Sequence, residues 1–169
     1  MLFKEITVAE LNENFFKAIG DEWFLITAGD KDNFNTMTAG WGFAGKMWGE
    51  DSIAVVIRPQ RYTMQFVDNS DTFTVSFCGD NKQIHKICGS KSGRDCDKVR
   101  ESGLTPVFDN DGIYFEQARL VYVCKKQYVQ KMQPECFTDK TPDERWYPNK
   151  DYHYLIIGKV EKVLQNAEC

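Results

Sequence analysis

The sequence predicts a mainly β fold, a β-barrel with a few short helices packed on its outside. Short runs of apolar, β-branched and aromatic residues recur along the chain, and clusters of turn-forming residues close them. Helical periodicity is confined to short segments between these runs. The chain has 169 residues, the length of one ordinary domain. We therefore expect a single domain over residues 1–169.

The first predicted element is a helix over residues 8–19. Thr7 and Glu10 have the spacing of a capping box, in which the two residues satisfy each other's backbone at a helix start. Phe15 then lies on the apolar face of the helical pattern, and Gly20 suits its end.

The remaining elements follow from β-rich runs and the turns between them. Strands are predicted over residues 23–28, 36–44, 52–57, 73–77, 113–129 and 152–164. Pro59 ends the third of these strands, because proline cannot donate to a sheet ladder. Short helices are predicted over residues 63–67, 82–87 and 95–101, and a loop over residues 103–112.

Composition and spacing exclude several classes of function. With 21 basic and 25 acidic residues the net charge is −4, which argues against nucleic acid or an anionic membrane as the main partner. The six cysteines lack zinc-knuckle and thioredoxin spacings, and no Gly-x-Gly-x-x-Gly motif is present. The chain also lacks a signal-peptide pattern and a bilayer-spanning apolar run. We therefore expect a cytoplasmic protein with reduced thiols.

The run Asn35-Thr-Met-Thr-Ala-Gly-Trp41 is the first segment that could carry chemistry. It combines an amide, two hydroxyls, two small residues and a large aromatic ring. Such a strand can lay its backbone N–H groups and an aromatic edge along a planar heterocycle. The alternative is an ordinary strand whose polar side chains face water.

Two further segments carry cations beside probable helix starts. Arg58 and Arg61 follow a strand, and the hydroxyl of Thr63 could open a helix, so this segment could cradle an anion. Residues 89–95 place two serines and two cations around two glycines, a pattern that can wrap a phosphate. The alternative for each is a solvated basic turn.

His153 is the fourth candidate, at the start of the last strand. A lone histidine in this position is more often structural than catalytic, and the second histidine lies far away in the sequence. We therefore expect no metal site and no catalytic side chain.

In this order, the segments resemble the flavin reductase-like family, whose members include flavoredoxin and have the FMN-binding split-barrel fold. The resemblance covers residues 20–164. It is carried by five runs: Trp23-Phe-Leu-Ile-Thr-Ala-Gly-Asp30, Asn35-Thr-Met-Thr-Ala-Gly-Trp41, Ile57-Arg-Pro-Gln-Arg-Tyr-Thr63, Ser90-Lys-Ser-Gly-Arg-Asp-Cys-Asp-Lys98, and Asp151-Tyr-His153 with Ile157-Gly158.

The resemblance implies non-covalent FMN in a homodimer, with the flavin close to the subunit interface. It assigns flavin-ring contacts to Asn35, Thr36, Met37, Thr38 and Trp41. It assigns the ribityl-phosphate and the ring edge to Arg58, Arg61, Thr63, Ser90, Ser92 and Lys98. His153 is placed near the cofactor. The sequence departs from the family at Gly40 and Cys96, which leaves the packing around Trp41 open.

The resemblance leaves three functions to compare. The first is an NAD(P)H-dependent reductase that passes a hydride through bound FMN to a flavin or another acceptor. The second is a flavoredoxin-type carrier that exchanges electrons with a partner protein and does not use NAD(P)H. The third is a binding module without redox work.

The aromatic share of the chain, 14%, then divides into two groups. The expected core aromatics are Phe15, Phe24, Phe73 and Phe77. The expected walls of the flavin pocket are Trp41 and Tyr62.

Overall fold

The computed structural model describes residues 2–167, so Cys169 lies outside the described residues. The strands are β1 Phe3–Ile6, β2 Phe24–Gly29, β3 Phe34–Ala39, β4 Gly42–Met47, β5 Glu50–Ile57, β6 Thr72–Phe77, β7 Pro106–Asp109, β8 Gly112–Phe115, β9 Leu120–Lys131 and β10 Tyr154–Asn166. The helices are α1 Phe15–Lys17, α2 Thr63–Asn69, α3 Lys82–Ser90, α4 Lys98–Ser102 and α5 Thr141–Trp146. Short 3₁₀ turns span Val8–Glu10 and Pro134–Cys136, and a π-helical turn, Ala18–Glu22, continues α1.

One antiparallel sheet builds the body of the protein, in the order β3-β2-β6-β9-β10-β5-β4, with β1 paired to β10. Strands β3 and β4 lie at opposite ends of this order, yet only Gly40 and Trp41 connect them. Two linking residues span at most about 11 Å between Cα atoms, so the sheet must curl until its ends meet. The result is a barrel with a seam between β3 and β4, and Trp41 lies at the seam.

Large aromatic side chains fill the inside of the barrel. Phe24, Phe73 and Phe77 are almost completely buried, and the half-buried Phe15 packs against the same core. Gly158, at a register shift in β10, makes room for one of these rings, since a Cβ atom there would lie 2.7 Å from the ring of Phe73. The prediction for the four core phenylalanines is confirmed.

The predicted helix over residues 8–19 is wrong, because the chain breaks into two helical pieces. The Glu10 carboxylate accepts from the Thr7 backbone N–H at 2.7 Å, but this pair closes only one 3₁₀ turn. A second start follows at Asn14, whose side chain accepts from Lys17 N–H at 3.2 Å. Arg119 on the barrel binds Glu13 between the two pieces, at 2.7 Å. A tertiary ion pair and a second cap therefore replace a continuous helix.

Other boundaries differ because the chain changes partners within a β-rich run. The predicted strand 36–44 is two strands, since Ala39 pairs with β2 whereas Gly42 pairs with β5. The predicted strand 113–129 is also two, because a turn closed by Ala118 N–H and the Phe115 carbonyl separates β8 from β9. The predicted loop 103–112 contains β7, which pairs with β8 in a separate hairpin.

Two further differences concern short elements. The helix predicted over residues 95–101 begins only at Lys98, because the Asp97 side chain caps Arg100 N–H at 3.0 Å. Strand β1 escaped prediction altogether. Every helix within residues 2–167 is too short or too polar to cross a bilayer. In the same part of the chain the cysteines Cys78, Cys88, Cys96, Cys124 and Cys136 carry free thiols.

Candidate functional site

A cleft of about 280 Å³ opens at the seam of the barrel, and we call it the seam cleft. Three of the four tryptophans line it: Trp23, Trp41 and Trp146 are 40%, 39% and 41% exposed. Half-open indole rings around one cavity are typical walls for a flat apolar ligand. The other lining residues are Met37, Thr38, Ala39, Gly40, Val56, Arg58, Arg61 and His153.

A second cavity of about 620 Å³ adjoins the seam cleft, and we call it the side cavity. Both cavities use Trp23 and the end of β3, residues 38–40, as a common wall. The opposite wall of the side cavity is α3, through Lys82, His85, Lys86, Gly89 and Ser90. A ligand lying over the end of β3 therefore reaches both cavities.

Backbone strain and a glycine together position Trp23. Its φ of 65° lies in a region that non-glycine residues seldom adopt, and such strain concentrates at functional sites. Its indole lies against Gly40, where a Cβ atom would come within 2.9 Å of Trp23 Cδ1. Lys82 Nζ lies 4.6 Å from the centre of the Trp23 ring. Gly40 thus makes room for Trp23.

The other end of the seam cleft is built by the connection between β9 and β10. Trp146, at the end of α5, meets Trp41 edge to face at a centroid distance of 4.9 Å. Arg58 holds this connection in place, because its Nη2 donates to the Trp146 carbonyl at 2.9 Å and its Nη1 pairs with Asp151. The His153 ring lies 5.1 Å from the Trp41 ring. Three segments distant in sequence therefore form one aromatic wall.

Cationic side chains line the two cavities in a chain whose net charge is negative. They are Arg58, Arg61, Lys82 and Lys86, and none of the lining residues within the described part of the chain is Asp or Glu. Arg58 is paired with Asp151, and the other three cations favour an anionic ligand.

A buried lysine and a half-buried arginine converge on one carbonyl beside the seam cleft. Arg61 Nη2 donates to the Cys88 carbonyl at 3.3 Å, and Lys98 Nζ lies 3.5 Å from the same oxygen. Lys98 also donates to the Thr36 carbonyl and is only 4% exposed. Burial, and to a smaller extent the charge of Arg61, lowers the pKa of Lys98 to about 8. Because two positive charges lie close together here, a bound anion would be stabilised electrostatically.

Comparison with known proteins agrees with this geometry. The family model described as "Flavin reductase like domain" matches residues 16–168. The chain belongs to this family. No curated protein is significantly similar in sequence.

Solved structures of flavin reductase-like proteins share the fold. An FMN-binding domain of a flavin reductase-like enzyme from Shewanella baltica is 17% identical, with a TM-score of 0.69 over 98% of this chain and 78% of that chain. Flavoredoxin of Desulfovibrio vulgaris is 20% identical, with a TM-score of 0.67 over 98% and 79%. An NADH:FAD oxidoreductase of Streptomyces globisporus is 12% identical, with a TM-score of 0.65 over 85% and 75%. The mainly β split-barrel fold predicted from the sequence is confirmed.

The structure brings about half of the family-derived site residues together. Those that line the seam cleft are Met37, Thr38, Trp41, Arg58, Arg61 and His153. Ser90 lines the side cavity, although its hydroxyl donates to the Lys86 carbonyl at 2.6 Å. Burial, with a smaller contribution from Arg58, lowers the pKa of His153 to about 4, so its ring is neutral at pH 7.

The other predicted residues are absent from the linings of the seam cleft and the side cavity. Asn35 Nδ2 donates to the Thr63 hydroxyl at 2.8 Å, and both side chains are buried. The Thr36 hydroxyl is fully buried against Thr27, at 2.9 Å. These three side chains bind one another or the core, and none of them lines the seam cleft.

Tyr62, Ser92 and Lys98 also differ from the expectation. Tyr62 packs edge to face on Phe66 and lines a separate cavity of about 370 Å³ together with Lys98. Ser92 is half-buried, and its hydroxyl accepts from Arg94 N–H within its own turn, at 3.2 Å. The half-buried Cys96 lies in the same turn, with Sγ 3.6 Å from the Ser92 carbonyl. Tyr62 is therefore a support beside the site and not a wall of the seam cleft.

Sequence reasoning missed Trp23, Trp146 and His85 as site residues. His85 is 1% exposed, its Nε2 has no hydrogen-bond partner among residues 2–167, and its Nδ1 lies 3.3 Å from the Thr38 hydroxyl. Burial, then the charge of Lys82, lowers its pKa to about 4. The sequence carries no local signal for these roles, because strand β3 and helix α3 meet only in the fold.

Proposed function

We propose that the chain binds FMN non-covalently across the seam cleft and the side cavity. The observation that carries the proposal is the cavity lining, which has three tryptophans and four cations, of which Arg58 is paired with Asp151 outside the lining. FMN combines a planar ring system with a phosphate dianion, so it matches both properties of this lining. The family and its FMN-binding structural relatives support the same cofactor.

The residues present fit such a ligand without rearrangement of the barrel. Trp41 and the end of β3 would hold the ring, and Gly40 removes the Cβ atom that would otherwise crowd Trp23. Arg61 would hold the phosphate, because the hydrogen-bond partner of its half-buried guanidinium in the described part of the chain is a carbonyl and not a carboxylate. Lys86 and Ser90 lie within the adjoining cavity and could extend this anion site. Lys98 would act from behind β3, through charge rather than contact.

Function follows from what this cofactor does. When bound, FMN would supply the chemistry of hydride and electron transfer between a donor such as a reduced nicotinamide and a second acceptor. The chain's own residues orient the ring, neutralise the phosphate and exclude water from one side through Trp41 and Trp146. We therefore propose an oxidoreductase that uses NAD(P)H and delivers electrons to a flavin or another acceptor. A nicotinamide stacked on an open flavin face needs no Rossmann domain.

A homodimer belongs to this proposal. Phe43 and Trp48, on the edge strand β4 and its turn, are more than half exposed, and Tyr128 of β9 lies 6.2 Å from Trp48. Such an apolar patch favours burial by a second protein surface. Sedimentation velocity tests the assembly, and a monomer at micromolar concentration would contradict it.

The cofactor is tested by spectroscopy on the purified protein. We expect a yellow protein, or a colourless one that takes up FMN stoichiometrically and binds riboflavin much more weakly. Anaerobic addition of NADH or NADPH should bleach the flavin absorbance, and added FMN or FAD should support turnover. A protein that takes up no FMN overturns the cofactor. Stable FMN that dithionite bleaches but neither nucleotide bleaches overturns the reductase and supports a flavoredoxin-type carrier.

A further inference from the structure

A buried tyrosine and a buried histidine form a hydrogen-bonded pair behind the seam cleft. Tyr147 follows α5 and His153 precedes β10, and their exposed fractions are 3% and 8%. Tyr147 Oη lies 2.8 Å from His153 Nδ1. The His153 ring is further held by Trp41, and its backbone carbonyl accepts from Met132 N–H at 2.9 Å. The ring therefore has a fixed position.

The chemistry of the pair determines where the imidazole proton lies. The Tyr147 hydroxyl has one proton and two acceptors within reach, His153 Nδ1 at 2.8 Å and Met132 Sδ at 3.5 Å. A thioether is a weak acceptor and an imidazole nitrogen a strong one, so the proton points to Nδ1. A neutral imidazole carries a single N–H group. When Nδ1 accepts, that group must be Nε2–H.

Burial keeps the ring neutral, and the charged neighbours add a smaller effect. Arg58, just after β5, opposes protonation of the ring, whereas Asp151, in the segment before β10, favours it less strongly. The aromatic rings that contact His153, Tyr147 and Trp41, carry no charge. The Nε2–H tautomer is therefore retained at neutral pH.

The pair also determines which side of the ring faces a ligand. His153 lines the seam cleft, but Tyr147 does not. Nδ1 is occupied by Tyr147, so Nε2–H is the polar group that the ring has left for the cleft. We infer that Tyr147 is a positioning residue, which fixes His153 in the Nε2–H tautomer as a neutral hydrogen-bond donor for a carbonyl oxygen or ring nitrogen of the cleft's ligand.

The tautomer can be read directly from the protein without cofactor. The chain has only two histidines, so long-range ¹H–¹⁵N spectra of histidine-labelled protein contain two ring systems, and His85 is an internal reference. We expect His153 in the Nε2–H form in the wild type and a mixture of both forms in Tyr147→Phe, with the His85 signals unchanged. An Nδ1–H form in the wild type, or an identical His153 pattern in the variant, would overturn the inference.

Tyr152→Phe is the matched control. Tyr152 belongs to the same aromatic cluster, 4.8 Å from the Tyr147 ring, and its buried hydroxyl donates to Asp143 at 2.8 Å. This variant loses a hydroxyl from the same region but leaves the His153 partner in place, so the His153 tautomer should not change. A mixture of tautomers in the control as well would show that general loosening, and not Tyr147, is responsible.

The donor role rests on the proposed function and has its own readout. In Tyr147→Phe we expect the Kd for FMN to rise about three- to tenfold and the midpoint potential of bound FMN to change, with both unchanged in Tyr152→Phe. If Tyr147→Phe gave a mixture of His153 tautomers but left the Kd for FMN and the midpoint potential unchanged, the donor role would be contradicted. If the wild type took up no FMN, the proposed function would fail while the tautomer measurement still decided the role of Tyr147.

Discussion

The two halves of the run from Asn35 to Trp41 contain similar residue types but do different work. In the first half, Asn35 binds Thr63 and Thr36 binds Thr27, so both side chains are occupied within the barrel. In the second half, Thr38 and Trp41 reach the seam cleft. Thr36 therefore supports the fold, whereas Thr38, two residues further along the same strand, lines the site.

The difference lies in the partners that the fold supplies. Thr36 meets β2, which is already part of the sheet, whereas Thr38 meets His85 of α3, at the border of the side cavity. Both hydroxyls have hydrogen-bond partners inside the protein, but Thr36 is fully buried whereas Thr38 is half-buried and lines both cavities. Exposure to the cavities, and not residue type, separates structure from function along this strand.

The largest expected effect is on FMN affinity, and it tests the residues that line the seam cleft. Arg61→Gln should raise the Kd for FMN about 10- to 100-fold, because a hydrogen bond to a charged group contributes about 1.5–3 kcal/mol. The Kd for riboflavin, which lacks the phosphate, should change little. Fluorescence titration measures both values. Arg100→Gln, an exposed arginine on α4, is the control. Equal losses for FMN and riboflavin would remove Arg61 from the phosphate site.

The second prediction concerns Lys98, which donates to the Thr36 carbonyl in the first half of the run from Asn35 to Trp41. Its pKa, lowered to about 8 by burial, means that the folded protein releases this proton before the unfolded chain does. The unfolded state then binds more protons between pH 8 and the ordinary lysine pKa, so this group's contribution to stability rises with pH in that window.

Lys98→Met removes this contribution. Between pH 7 and 9.5 the free energy of unfolding of the wild type should rise by about 2 kcal/mol relative to that of Lys98→Met. Urea denaturation at several pH values measures the difference, and Lys17→Met, at an exposed position, is the control. If the difference between wild type and Lys98→Met did not depend on pH, Lys98 would not be a strained buried cation.

Local sequence predicted the parts of the site that depend on residue type. Arg58 and Arg61 beside a strand end, Trp41 after a polar strand and His153 before the last strand all reach the seam cleft. These residue types favour a flat, anionic ligand, and the family resemblance led to FMN as the proposed one.

The remainder of the site depends on long-range partners. Asn35 finds its acceptor 28 residues away and Thr38 finds its acceptor 47 residues away, so no local pattern could divide the run into its two halves. A positive φ and contact with Gly40 place Trp23 in the wall of the cleft. A hydrogen bond from Arg58 to its carbonyl holds Trp146 there. The broken helix over residues 8–19 has the same origin, since Arg119 holds Glu13 from across the fold.

The smallest expected effects are those of removing the hydroxyls of Thr36 and Thr38, and they test directly whether the two halves of the strand have different roles. Thr36→Val leaves the buried Thr27 hydroxyl without its 2.9 Å partner, so we expect a loss of about 1–2 kcal/mol in the free energy of unfolding and an unchanged Kd for FMN. Thr38→Val removes a half-buried hydroxyl that donates to the His85 carbonyl at 3.0 Å, so we expect a smaller loss of stability and a Kd for FMN that rises a few fold, about 2–5-fold. Urea denaturation and FMN titration of both variants separate the two effects. If the variants changed stability and binding in the same proportion, the two halves of the strand would share one role.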